Sequence, residues 1–390
     1  MDTGTDLLIG IIIAVVMLLV GLGVGLAVGR RSSASRGGDS KGRDRRVDLA
    51  GGAQDLTPMT SADEDSGQET VVPPKPRVAI IVNPSKPDAA GLEATAGAVC
   101  RQEGWDAPIM LETEVEDPGC TMARQALEQQ VDLVVAARGD GTVRAVAEVL
   151  AGTGVPMGVV PMGTGNLLAR NLDIVLGRPE WALRIALWGE DTAVDVAHAQ
   201  IEPGGKDHAF MVMAGLGFDA AVMADTDSDL KSKVGWLAYL EAGSRKLVGT
   251  RTKVRVTVDG GEPFTEKIRS VVAGNCGKLQ GGITLLPEAE LDDGILDVIV
   301  IAPKNAVQWI GVAASVLGRN KRKGLHTEIH RCREIIIESE EEIEVQLDGD
   351  AVGSSTYLAM QVEEHALTMR TATRQQKRAI RAEGWPIPVG

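Results

Sequence analysis

The chain has 390 residues, 44% of them hydrophobic and 24% charged, with a formal net charge of -14. That length allows two domains plus extensions, and the acidic balance argues against nucleic acid as a main partner. Four cysteines (Cys100, Cys120, Cys276 and Cys332) lie far apart without C-x-x-C spacing. They read as reduced cytosolic thiols, with neither a disulfide framework nor a zinc site.

Residues 7–28 form an uncharged run, which as a helix is roughly 33 Å long and spans a bilayer. Asp2 and Asp6 precede it, and Arg30, Arg31, Arg36, Lys41, Arg43, Arg45 and Arg46 follow it. That asymmetry excludes a signal peptide and puts everything after Arg30 in the cytosol, as a single-pass protein of the cell membrane. Gly21, Gly25 and Gly29 recur every four residues, the spacing of a helix-dimer face and hence of a homodimer. The first segments are therefore a transmembrane anchor over residues 1–30 and a disordered linker over 31–76, first basic, then acidic, then proline-rich.

Folded sequence begins at Arg77. Residues 78–82 read as a buried strand, 92–102 as a helix, 109–113 as a strand and 121–130 as a helix. Thr113 closes its strand, where nucleotide loops lie in a doubly wound sheet. Residues 131–172 carry the strongest signal. Two apolar runs (131–136 and 156–160) each end in a glycine-rich turn and lead into a helical pattern. The turns are Arg138-Gly139-Asp140-Gly141-Thr142 and Gly163-Thr164-Gly165-Asn166. Glycines let backbone approach a phosphate, and a helix start presents N–H groups and partial positive charge to it. Asp140 fits there either beside a magnesium ion or as a hydrogen-bonding anchor for the loop. Thr142 and Thr164 supply hydroxyls.

After Arg178 the pattern changes. Stretches 193–199, 209–213, 253–258, 268–273, 295–301 and 333–338 are strand-like, and 229–247 and 305–317 are helical. The expected fold is α/β, with a Rossmann-like nucleotide-binding domain and a second, mostly antiparallel β-sandwich domain. The pattern Gly-x-Ser-x-Gly occurs at Gly38-Asp39-Ser40-Lys41-Gly42, inside the linker and not at a strand-to-helix elbow, and no His-Glu-x-x-His occurs, so hydrolase and zinc-enzyme readings have no support.

RGDGTV and MGTGNLLARNL resemble the GGDGT signature and second glycine loop of the diacylglycerol kinase/sphingosine kinase catalytic domain. Arg138, Arg144 and Leu167 depart from it, standing where members have Gly, Asn and Asp. The order of later motifs strengthens the resemblance. Asn83-Pro84-Ser85-Lys86 resembles a nucleotide-facing loop, and 213–220 a glycine-rich motif. Asp195 matches an Asp near the nucleotide loops, and Asp348-Gly349-Asp350 resembles an Asp-Gly-Glu turn. The loop 286–297 resembles one holding a structural magnesium through one Asp and two backbone carbonyls, which map to Asp293, Glu290 and Ile295.

The resemblance implies a nucleotide domain over residues 77–195 with 345–369 returning to it. A lipid-binding sandwich follows over 196–344, and a basic tail over 370–390. It implies ATP and Mg2+ as cofactors and transfer of the γ-phosphate to a membrane lipid such as diacylglycerol. The nucleotide set is Asn83, Thr113, Arg138, Gly139, Asp140, Gly141, Thr142, Gly163, Thr164, Gly165 and Asn166. The candidate catalytic acids are Asp348, Asp350, Asp140 and Asp195. Asp348 is the expected general base, with Asp350 on the same face orienting it. Alternatives are a sphingoid-base kinase, an NAD kinase-like enzyme acting on a soluble substrate, and a non-catalytic, membrane-tethered nucleotide-binding protein.

Overall fold

The computed structural model describes residues 74–84, 89–114, 116–217, 251–280, 284–302 and 327–384, within a compact unit of residues 75–390. The apolar run 7–28, the linker up to residue 73, and the helical stretches 229–247 and 305–317 lie outside the described residues. Among the described residues no helix is long and apolar enough to cross a membrane.

The first half alternates strand and helix. Strands β1 (Val78–Val82) and β3 (Leu133–Ala137) are buried at every position, as continuous apolar runs in a sheet covered on both faces must be. β1 pairs in parallel with β2 (Ile109–Glu112) and β3, and β3 with β4 (Met157–Val159). Helices α1 (Ala89–Glu103), α2 (Cys120–Glu128), α3 (Asp140–Leu150) and the short α4 (Leu167–Asn171) fill the connections. Pro179 starts α5 (Pro179–Trp188), a position where its missing N–H is harmless.

The second half is antiparallel: β5 (Glu190–Gln200), β6 (Asp207–Phe210), β7 (Met213–Leu216), β8 (Thr252–Val258), β9 (Phe264–Ile268), β10 (Ser270–Gly274), β11 (Leu296–Ile301), β12 (Thr327–Cys332), β13 (Glu334–Leu347) and β14 (Asp350–Thr371). The expected strand at 209–213 is two strands, broken where the backbone of Met211 to Met213 turns to a side chain described below.

The second half is not detached from the first. The strands make one 14-stranded sheet in the order β12-β11-β10-β7-β13-β14-β4-β3-β1-β2, with β5, β6, β8 and β9 attached beside it. The joint is β14, which pairs with β13 and β5 in the antiparallel half and in parallel with β4 at Met369↔Met157. Each half nonetheless has its own core, one around β1, β3 and β4 and one around β11, β13 and β14. The architecture is a two-lobed α/β fold on a mixed sheet.

The described part of the basic tail, up to residue 384, contains a helix. Thr373 and Gln376 form a reciprocal capping box that starts helix α6 (Arg374–Ala382). Ile380 packs with Val175, Ile185 and Ala372.

Candidate active site

The two glycine loops touch back to back. A Cβ on Gly163 would lie 2.6 Å from the Cα of Gly139, so a side chain there would push the loops apart. Asn166 adopts the left-handed conformation, with φ 48°. Its Oδ1 accepts the Gly163 N–H (2.9 Å) and its Nδ2 donates to the Gly163 carbonyl (2.6 Å). The loop is thus closed into a ring by its own side chain.

Asp140 joins this ring to the other loop. Its Oδ1 accepts the Leu167 N–H at 2.6 Å, and a Cβ on Gly165 would sit 2.5 Å from its Oδ2. Of the two tasks open to Asp140 on sequence, the structure therefore displays the loop anchor. Burial raises its carboxyl, while the amides of Leu167 and Asn166 pull the other way.

Thr142 does not offer the hydroxyl that its place in the first loop promises to phosphate, because the residue is 2% exposed. It lies one helical turn from Val146, on the face of α3 that packs inward. Its Oγ1 is buried and has no hydrogen-bond partner. Thr164 is exposed, and its carbonyl accepts from Gln280 Nε2. Arg138 leaves β3 and donates from Nη1 to Thr113 Oγ1 at 3.2 Å, which fixes both side chains beside the first loop. Asn83 is buried at the end of β1.

The late carboxylates separate. Asp348 (φ 49°) and Gly349 (φ 91°) are the two central residues of the β13–β14 hairpin, the left-handed pair that a tight Asp-Gly hairpin requires. Asp348 is 6% exposed. Its Oδ2 accepts Met211 N–H at 2.9 Å, and its Oδ1 accepts Val212 and Met213 N–H at 2.8 and 3.0 Å. Those contacts break the strand between β6 and β7. Burial pushes the Asp348 carboxyl from 3.8 up to about 6, against the pull of the three amides and the Arg144 charge.

Asp350 does not share that face. It is exposed, pairs with Arg144 Nη2 at 3.2 Å, and its Oδ2 would lie 3.2 Å from a Cβ on Gly141. Asp350 therefore overhangs the first glycine loop, while Asp348 sits beneath the hairpin.

Asp195 is fully buried. Its two oxygens accept Gly294 N–H (2.7 Å) and His365 N–H (2.8 Å), so it clasps the 291–294 turn to the irregularity in β14. This is the geometry of a satisfied strand aspartate. Asn275, also fully buried, donates to the carbonyls of Asp195 and Met211.

Residues 77–199 match the family model described as the diacylglycerol kinase catalytic domain. Residues 212–371 match the one described as the YegS C-terminal NAD kinase beta sandwich-like domain. A probable lipid kinase, YegS-like, of Pseudomonas putida is 32% identical over 64% of this chain and 80% of its own. The chain belongs to the diacylglycerol kinase/YegS-like lipid kinase family. It is an ATP-dependent kinase. A diacylglycerol kinase of Mycobacterium tuberculosis is 27% identical over 70% of this chain and 88% of its own length. The crystal structure of a diacylglycerol kinase from Bacillus anthracis shares the fold, with a TM-score of 0.56 at 23% identity, covering 76% of this chain and 97% of that one.

In the loop that the resemblance gives to magnesium, the Asp293 carboxylate is held by the Arg331 guanidinium on one oxygen and by the Ile295 N–H (3.1 Å) on the other. Glu290 is exposed. A hard cation needs several oxygens converging on one point, and the ligands expected beside Asp293 are the backbone carbonyls of Glu290 and Ile295.

Three contributors are given no role by the motifs: Arg144 facing Asp350 beside the first loop, Gln280 against the second loop, and the 211–213 backbone beneath Asp348. Only Arg144 has a signal in the sequence. It stands four residues after Asp140 on α3, hence on the same face of the helix.

Proposed function

We propose that this lipid kinase transfers the ATP γ-phosphate to the hydroxyl of diacylglycerol, giving phosphatidate, from the cytosolic side of the cell membrane to which residues 7–28 anchor it. Support for the lipid comes from relatives named diacylglycerol kinase. The uncharged N-terminal run with basic residues after it supports the anchor. On this reading the phosphates lie against Gly139, Gly141, Gly163 and Gly165, at the start of α3, whose first-turn N–H groups and dipole favour anions. Arg138 and Thr113 flank them. Magnesium enters with ATP as part of the substrate, neutralising phosphate charge, and needs no preformed protein cage.

The observation that carries the chemistry is the buried Asp348 at the tip of the hairpin whose next strand begins over the glycine loop. A primary hydroxyl is a poor nucleophile at neutral pH and needs a carboxylate to receive its proton as the O–P bond forms and ADP leaves. A carboxylate near 6 is ionised at pH 7 yet basic enough to take a proton. Its three N–H bonds leave about one of roughly four lone-pair positions for the hydroxyl. Asp140 holds the loops together, and Asp350 overhangs them.

Labelled ATP offered to the full-length chain with diacylglycerol, sphingosine and monoacylglycerol in mixed micelles, and separately with NAD, tests the reading. Labelled phosphatidate is the expected product. Label only in sphingosine phosphate or NADP moves the activity to that acceptor, and label in none removes the kinase reading of the site. A reporter fused after Gly390 should behave as cytosolic; a reporter active only outside the cell overturns the topology.

A further inference from the structure

Arg144 is a charge beside the first glycine loop that the chemistry above leaves unused. A helical side chain leans back toward the N-terminus of its helix, so Arg144 projects toward the first turn of α3, where Asp140 and Gly141 lie. Its contacts agree: Nη2 meets Asp350 Oδ2 at 3.2 Å, and that same oxygen overhangs Gly141. The side chain is only 18% exposed, and its Nε–H is buried without a partner. A guanidinium has five N–H donors in a planar fork. Here a buried one faces no acceptor, which costs about 1–3 kcal/mol unless something fills the gap.

The position also selects which phosphate. Arg138 stands on the Thr113 side of the first loop. Arg144 stands on the hairpin side, between the loop and the turn that carries Asp348. The phosphoryl group to be transferred must face the attacking hydroxyl, hence the hairpin side. We propose that Arg144 grips the γ-phosphate of ATP, with Asp350 holding the guanidinium in place until the nucleotide arrives. This rests on the phosphates lying along the glycine loops. It makes Arg144 the residue that distinguishes ATP from ADP.

The test is equilibrium binding of a non-hydrolysable ATP analogue and of ADP, both with Mg2+, to the full-length chain and its variants. Arg144→Gln should lose about ten-fold or more in affinity for the ATP analogue, the scale of a charge-assisted contact, with ADP affinity changed less than about three-fold. Arg144→Lys should keep part of the preference, having the charge without the fork. Asp350→Asn breaks the same ion pair from its other end and should keep the preference for ATP over ADP. The inference is overturned if Arg144→Gln keeps the wild-type preference. It is equally overturned if Asp350→Asn loses as much preference as Arg144→Gln, since the pair then acts only as a strut. Gly141→Ala separates the placement of the phosphates from the role of Arg144. If it weakens both nucleotides, the phosphates lie on the loop and the Arg144 result stands by itself. If it weakens neither, the loop placement fails and the inference falls with it. Melting temperatures of all variants show whether an effect is only lost folding.

Discussion

Each half of the molecule contains an aspartate that accepts backbone N–H from another segment, and the two do so on different scales. Asp140 reaches Leu167, 27 residues away, across two loops that touch. Asp348 reaches Met211, Val212 and Met213, 135 to 137 residues away, and holds a strand break in the opposite half. The first clasp is assembled by one strand–loop–helix unit and its neighbour. The second exists only once the antiparallel half has closed. The proposed anion site is thus built locally, whereas the proposed base is positioned by long-range folding, and its environment is correspondingly drier.

Asp140→Asn should produce the largest loss. The amide removes the charge that holds the Leu167 N–H at 2.6 Å and loosens the contact between the loops. Phosphate transfer should fall by about 10³, the scale for misplaced and weakened phosphate contacts, with the fold retained. Turnover near wild type would dismiss the clasp as a functional element.

Asp348→Asn should follow, with kcat lowered by about 10² and stability by about 1–3 kcal/mol. Both losses are expected because the new NH2 must face a backbone N–H that the carboxylate accepts. The pH dependence sharpens this. The folded carboxyl lies at about 6 against an ordinary 3.8, so the folded state binds the proton more tightly. The stability that this residue contributes is full below about pH 4 and lost as pH rises through about 6. The wild-type-minus-variant difference in unfolding free energy should therefore fall across that window. A flat difference between pH 4 and 7 contradicts the burial argument.

Asp195→Ala should leave kcat within a few-fold and lower stability by about 1–3 kcal/mol, because the buried Gly294 amide and the half-buried His365 amide lose their acceptor. A large drop in kcat at unchanged melting temperature would return Asp195 to the catalytic set.

The smallest effect is expected from metal. With the Asp293 carboxylate already on Arg331, millimolar Mg2+ without nucleotide should barely move the melting temperature. A clear rise that Asp293→Asn abolishes would restore the structural metal.

The glycine loops are legible because their chemistry is written in consecutive residues: glycines where backbones touch, and an acid at the first position of α3. Strands β1 and β3 are legible as short apolar runs. Other features depend on partners far along the chain. Nothing near Asp348 says that three amides of residues 211–213 will converge on it, and nothing near Asp195 names Gly294 and His365. Strand β14 is hidden because much of its polar, half-exposed course lacks a clean alternation. Two further features are readable after all. Helical phase places Thr142 inward with Val146, and the Thr373-Arg374-Gln375-Gln376 pattern announces the cap of α6.

Strand β14 has a mechanical consequence. It runs 22 residues without leaving the sheet, hydrogen-bonded to the antiparallel half along most of its length and to β4 near its end. Its pairing with β5 is interrupted between Glu363 and Leu367, where His365 takes a φ of 53°. Backbone rotation between the halves needs a few residues outside the regular ladder, and this interruption supplies them. Asp195 holds the His365 N–H there, so one buried carboxylate acts as a latch on the joint between the two halves.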